Sequence, residues 1–462
     1  MGRSLLIEKL HEDKLKEIGH GAEFQLGLIL GQQSEGKDYA TDFVCSPDPT
    51  DDSDDKDNGT VNDSKPAGSK KDTKQLFDIS WIAEHGRQVN RMLIGGISVL
   101  GIYVYCSSEV VSANQSKLSQ CLYSLHSRIE RNKWLKKAYL HSDRYLLHIC
   151  STTRKLTCRS FDISNKQATS KPVDCKFQPF LANWHSTSTN IDVHVNISVP
   201  LSPKATETEK SILLACQYEI EQIWGAYCTS EDCKLLVEEQ LIANSTTKTK
   251  SKSKHGVSGQ SLKFTLFKLP NGKKIEDVVE QETTYLDVKF FGGIYSRAVL
   301  NSKATYGDAI KALKVDVIRS LLTRIELLCE EAEVNNLVQV EEWSLVSPMR
   351  VFCPVLKSSL LYFCDYSFKD ESVDDIVSRF SEMLNLSVKN SELVYFERSP
   401  DVSEASMLFH SPEKPVDQQS DVVSELSNSL VDEGINSTNK HIYFLIAIII
   451  LLIGILIKIV LF

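Results

Sequence analysis

Residues 191–199 alternate without a break. Ile191, Val193, Val195, Ile197 and Val199 fall on one face, with Asp192, His194, Asn196 and Ser198 on the other. A period of two belongs to a half-buried strand, and it puts His194 among polar surface neighbours rather than in a metal site. Residues 307–331 keep the other period. Ile310, Leu313, Val317, Leu321, Ile325 and Leu328 recur every three or four positions, as on one stripe of a long helix. "SWIAEHGRQVNRML" (80–93) sets Trp81, His85, Val89 and Met92 at the same spacing, with Ser80 placed to cap the helix. Residues 109–132 and 371–384 are amphipathic too, the latter with acids in its first turn, where the helix dipole favours them.

Between the helices lie short apolar runs. "FQLGLILG" (24–31) reads as a buried strand or a helix start, and "GGISVLGIYVYC" (95–106) as a buried strand. "RYLLHIC" and "KLTCRSFDI" form an expected strand pair; 261–269, 284–295, "MRVFCPV" and "LLYFCDY" are further strands. Interleaved strands and helices indicate an α/β (α+β) body. A faint echo between "GGISVLGIY" and "VKFFGGIY", each ahead of a helix, suggests two mixed lobes, 1–165 and 166–397.

Three stretches break the pattern. Residues 46–76 and 244–260 have too few apolar side chains to order themselves and are expected as inserts. Residues 398–440 are serine-rich and hold eight acids, which makes an acidic stalk. Then polarity stops. Residues 441–462 contain Ile442, Tyr443, Phe444, Leu445, Ile446, Ile448, Ile449, Ile450, Leu451, Leu452, Ile453, Ile455, Leu456 and Ile457 before Lys458. A spanning helix needs about 20 residues, and Lys458 can snorkel to the far surface. The N-terminus shows no secretory apolar core, and Leu6 stands where a myristoylation signal needs Ser or Thr. The expected arrangement is a single-pass tail anchor, 441–462, with the body in the cytosol. The N-x-S/T sequons at Asn58, Asn62, Asn114, Asn196, Asn244, Asn385 and Asn436 are then expected to be bare.

Composition adds little to this. Of 462 residues, 24% are charged and 42% hydrophobic, which is ordinary for a globular body. A net charge of −9 offers no general attraction to nucleic acid. The twelve cysteines form no C-x-x-C pair and sit in apolar runs, as reduced core cysteines do. Phosphate-loop, zinc-protease and nucleophile-elbow motifs are missing, and no cofactor is expected. Cys106 and Cys364, each near a strand end, are the candidate nucleophiles for a hydrolase reading; a core role is the alternative.

Certain stretches are more specific. "MGRSLLIE", "GLILGQQSEGKDY", "EHGRQVNRMLIGGISVLGIY", "LHICSTTRKLTCRSFDI" and "RVFCPV…LLYFCDYSFKDESVDDI" occur in order ahead of the apolar tail. Together they resemble the odorant response abnormal protein four family. The resemblance implies a non-catalytic membrane-anchored adaptor at the endoplasmic reticulum. Its partners would be G-protein-coupled, odorant-type receptor cargo and the cysteine protease specific for the ubiquitin-fold modifier. The N-terminal lobe is also similar to the MPN (JAMM) fold. Active members hold zinc with a glutamate, two histidines and an aspartate; here those positions are Phe24 (with Glu23 one residue off), Val104, Cys106 and Lys117. None of the family's zinc ligands survives at these positions, and a lysine repels the metal, so the resemblance implies a metal-free version. The alternatives are a cysteine hydrolase acting on modifier-conjugated membrane proteins and a purely structural tether. The docking face would lie on the N-terminal lobe or the 307–331 helix.

Overall fold

Both faces of the first strands are apolar because each meets a different core. The computed structural model describes residues 3–19, 23–47, 78–130, 133–165, 169–200, 205–243, 261–268, 285–334, 342–355, 360–369 and 371–397. The 244–260 insert, the 398–440 stalk and the 441–462 tail lie outside the described residues, as does the 46–76 insert beyond Pro47. Among the described residues no helix is long and apolar enough to cross a membrane.

The first part of the chain runs β1 (Ser4–Glu8), α1 (His11–Glu17), β2 (Gln25–Gln32), β3 (Lys37–Cys45), α2 (Ile79–Arg91), β4 (Ser98–Cys106), α3 (Ser108–Ala113), α4 (Gln115–Ile129), β5 (Asp143–Cys150), β6 (Leu156–Asp162) and β7 (Lys171–Gln178). The strands close a barrel in the order β1-β3-β2-β4-β5-β6-β7. Leu5, Ile7, Ile29, Phe43, Tyr103, Tyr105, Tyr145 and Leu147 fill its interior. Leu26, Leu28, Ile102 and Val104 alternate to the outside, where they meet Ile82 and Val89 of α2 and Leu118, Leu122 and Leu125 of α4. This double burial explains why "FQLGLILG" is apolar throughout. Gly27 is required in it: a Cβ there would lie 2.2 Å from the Val44 carbonyl oxygen and 2.5 Å from the Tyr103 ring.

The wall continues past residue 165, where the sequence pattern placed a change of lobe. β7 pairs in parallel with β1, setting Leu5 opposite Cys175 and Ile7 opposite Phe177, and so leaves the barrel no open edge there. Two local expectations also shift. Asp78, not Ser80, caps α2, its carboxylate accepting from the amides of Ser80 (2.9 Å) and Trp81 (3.0 Å). The expected 109–132 helix divides at Asn114, whose φ of −112° leaves the helical range.

The second part comprises β8 (His185–Pro200), α5 (Ala205–Ala215), α6 (Gln217–Gly225), β9 (Tyr227–Ser230), β10 (Ser261–Phe267), β11 (Tyr285–Leu300), α7 (Tyr306–Val334) and β12 (Glu342–Val346). They build a sheet of order β12-β11-β8-β10-β9. β8 and β11 pair antiparallel from His185↔Leu300 to Pro200↔Tyr285. The whole predicted stripe of α7 is buried, in one core with Ile191, Val193 and Val195. Its polar side is buried as well: Asp316, Arg319, Ser320, Thr323 and Arg324 are each 5% exposed or less.

The chain closes with β13 (Met349–Pro354), β14 (Tyr362–Ser367), α8 (Val373–Leu384) and β15 (Val394–Tyr395), the strands ordered β14-β13-β15. Ser372 and Asp375 form a capping box at the start of α8, and Asn385, at φ 51°, turns the chain out of it. Phe352, Phe363 and Phe380 join the core beneath α2 and α4, so this last sheet packs with the barrel's outer layer. His85 fastens the junction. Its Nε2 donates to the Met383 carbonyl at 2.9 Å, and its Nδ1 accepts from the Ser46 hydroxyl at 3.0 Å. The acceptor role of Nδ1 requires the neutral ring, and burial lowers the ring's pKa.

Candidate functional site

Three of the four positions that correspond to zinc ligands in the MPN resemblance come together. Gln25 pairs with Tyr105 and Leu26 with Val104, which brings Phe24 to the end of β4 that carries Cys106. Val104 and Cys106 are buried in the apolar layer between barrel and helices, with Phe24 packed against it. Lys117 is half-buried on α4, beside Leu118. This is packing, with no donor set for a metal. Among the described residues no group of three or more His, Cys, Asp or Glu is arranged to hold an ion.

The two candidate nucleophiles are equally enclosed. Cys106 is 2% exposed and Cys364 fully buried, and burial pushes both thiols up to about 11. His148, one strand over, is already engaged: its Nε2 donates to the Cys106 carbonyl at 3.1 Å, not to the thiol. The pattern missed Cys150. The hydroxyls of Ser108 and Thr153 and the amides of Thr153 and Thr152 converge on its sulfur and lower the thiol to about 6. The Ser108 Oγ to Cys150 Sγ distance is 3.4 Å. A signal was present, since "CSTT" places hydroxyls and free amides directly after a strand. The thiolate is stabilised in the fold, so it persists as pH falls until about 6. Cys150 is itself only 6% exposed, so iodoacetamide labelling followed by peptide mapping should show it reacting slowly but ahead of Cys106 and Cys364, which should react only after denaturation. Equal labelling of all three in the native protein would contradict these environments.

A cleft of about 460 Å³ lies between α2, α4, α5 and α7. Ile129, Leu135, Leu213, Leu214 and Leu322 supply apolar walls, and Arg87, Arg91, Arg128, Lys133, Lys210 and Arg319 supply positive charge against Glu209 and Glu326. Arg87 and Arg91 reach across from α2 to Glu326 of α7, Arg87 at 3.3 Å, and Arg91 also reaches Glu330 at 3.1 Å. These pairs brace the two helices that form the cleft's sides. The cleft draws on helices widely separated in sequence, so no local motif announces it. Its α2 and α4 walls lie in the N-terminal lobe and its α7 wall is the 307–331 helix, the two docking faces named above.

The match that decides kinship spans most of this architecture. The model of the Odorant response abnormal 4-like family matches residues 27–395, from β2 to β15. The chain belongs to this family. The protein odr-4 homolog of Mus musculus is 31% identical over 436 residues, 90% of this chain and 92% of that protein. The Homo sapiens protein odr-4 homolog is 30% identical over 416 residues, 86% of this chain and 87% of that one. Among solved structures, the crystal structure of UfSP from C. elegans aligns with 83% of this chain and 57% of its own at 8% identity and a TM-score of 0.40. A likeness that weak carries no argument about fold or function.

Proposed function

We propose that this Odr-4-like protein is a non-catalytic, membrane-anchored adaptor. In this reading it supports folding and trafficking of a subset of G-protein-coupled, odorant-type receptors and holds a ubiquitin-fold-modifier-specific cysteine protease at the endoplasmic reticulum. The carrying observation is the family match joined to the apolar run from Ile442 to Ile457 behind an acidic stalk. A body tethered by such a run works within the stalk's reach of one bilayer. Partners held there meet at a raised effective concentration without any chemistry by the adaptor itself.

The test compares full-length protein with a chain ending at Asn439, by pull-down from detergent-solubilised membranes and by fractionation. The protease should co-purify with both forms, and only the full-length form should retain it in the membrane fraction. Absence of the protease from both would remove this partner from the reading. A second reading, a cysteine hydrolase acting on modifier-conjugated membrane proteins, is favoured by one observation, the Ser108 hydroxyl that donates to Cys150 Sγ at 3.4 Å and favours the thiolate. Cleavage of a modifier conjugate by the purified chain, lost in Cys150→Ser, would replace the adaptor reading with it.

A further inference from the structure

Cys106 ends β4 and Cys150 ends β5, and the two strands run parallel with these residues as register partners. Side chains of such partners leave the same face of a sheet. Here it is the barrel's outer face: Ile102, Val104 and Cys106 of β4 and Leu146 of β5 join the outer core, while Tyr145, Leu147 and Ile149 fill the interior. Neighbouring strands lie about 4.8 Å apart, inside the roughly 4.4–6.8 Å between Cα atoms that a disulfide bridges. All twelve cysteines are free, and no other two are strand partners among the described residues. Cys158 and Cys175 lie on neighbouring strands too, but they are offset by two residues, Cys158 opposite Val173, and they line the closed interior.

The pair is chemically asymmetric. The Ser108 hydroxyl donates to Cys150 Sγ at 3.4 Å, and the donors of Thr153 and Thr152 converge on the same sulfur and lower its thiol to about 6. Burial pushes the Cys106 thiol up to about 11. A thiolate is the form that attacks, and a second thiol within bonding reach is what resolves the product. Ser108, Thr152 and Thr153 are exposed around Cys150, which is itself 6% exposed. Such an opening admits a small oxidant and excludes a polypeptide. We propose that Cys150 and Cys106 form a hydroperoxide-reactive dithiol, with Cys150 the attacking thiolate and Cys106 the resolving thiol. The Cys150 sulfur takes one peroxide oxygen: an S–O bond forms, the O–O bond breaks, and hydroxide leaves with the electron pair. The Cys106 sulfur then attacks the Cys150 sulfenic acid, the S–O bond breaks, and the oxygen departs as water with the Cys106 proton. Two thiols are oxidised by two electrons in all, and one peroxide is reduced to water. The new bond ties β4 to β5 where both leave the sheet, and it consumes the thiolate that accepts from Ser108 in the first turn of α3.

Neither the adaptor's partners nor hydrolysis enters this chemistry, so its test is separate from theirs. Full-length protein in detergent micelles is reduced, freed of reductant and given equimolar hydrogen peroxide. It is then quenched with N-ethylmaleimide and digested with trypsin without reduction. The tryptic peptides 92–117 and 145–154, which carry Cys106 and Cys150, should appear linked before any other cysteine pair. In Cys106→Ala the linkage should vanish, and dimedone should trap sulfenic acid on Cys150 several-fold above the parent. In Cys150→Ser neither product should form and Cys106 should stay reduced. The map of the unsubstituted chain needs no variant, so a substitution that fails to fold does not remove the test. Absence of the 92–117 to 145–154 linkage, linkage by diamide but not by peroxide, or earlier linkage of Cys158 to Cys175 would each overturn the proposal.

Discussion

Asp316→Ala should lower the unfolding free energy of the body by about 3–5 kcal/mol. Asp316 and Arg350 are both fully buried and joined twice, Nη1 to Oδ2 at 2.7 Å and Nη2 to Oδ1 at 2.9 Å. The same carboxylate accepts from the Ser296 hydroxyl at 2.9 Å and the Arg297 amide at 3.1 Å. Arg350 also donates to the Leu93 carbonyl at 3.3 Å. One pair thus ties α7, β11, β13 and the approach to β4. Burial, the largest influence, would lower the Arg350 pKa; the Asp316 carboxylate, together with Cys364 and Tyr366, raises it on balance. Truncation to alanine strands a guanidinium where neither water nor a counter-charge can reach it. Domains commonly hold only about 5–15 kcal/mol in total, so the loss is a large fraction. The check is the urea midpoint of the purified full chain. The double variant Asp316→Ala/Arg350→Met should recover part of the loss, because it removes the stranded charge along with the bond. A single variant within about 1 kcal/mol of the parent would mean that water or another group reaches Arg350, contrary to its burial.

That pair also marks the limit of what the amino-acid pattern discloses. The α7 stripe was legible because periodicity is a local property, and every predicted stripe residue is buried. The burial of the opposite face was not. Asp316 and Arg350 are 34 residues apart, and nothing in "KVDVIRS" distinguishes a solvated aspartate from an enclosed one. Strand pairing had the same limit: the apolar runs named the strands, but the parallel closure of β7 on β1 joins the first and last strands of the barrel, across the expected lobe boundary at 165. The cleft is a more extreme case. Its brace from Arg91 to Glu326 spans 235 residues, so no local pattern marks its two sides as neighbours. Family kinship needed no such context, because it rested on contiguous matched segments. The anchor likewise needed only composition, and it remains a reading of sequence alone.

Trp184→Ala should cost about 3–5 kcal/mol, the usual range for emptying a large aromatic site. Trp184 is 1% exposed. It stacks on Phe180 with centroids 5.2 Å apart and meets the Tyr39 ring edge-on at 5.5 Å. Tyr39 and Phe180 complete the triangle at 5.1 Å. These rings sit where the chain leaves β7 and enters β8, at the joint between the barrel and the second sheet. The Glu8 carboxylate holds that joint from below, accepting from the Phe180 and Leu181 amides at 2.9 Å each. Alanine leaves a cavity that the pinned turn cannot collapse to fill, so the penalty should fall at the high end of the range. Trp184→Phe keeps an aromatic face and should cost distinctly less. In cells the alanine variant should be less abundant, as marginal stability translates into turnover. On the proposed adaptor reading, the molecules that remain should still partition with the membrane fraction, because the apolar tail is unaltered. Reduced abundance with unchanged partition would separate the stability of the body from its anchoring. A urea midpoint for Trp184→Ala equal to that of Trp184→Phe would show that the triangle contributes little and that this joint is held by Glu8 instead.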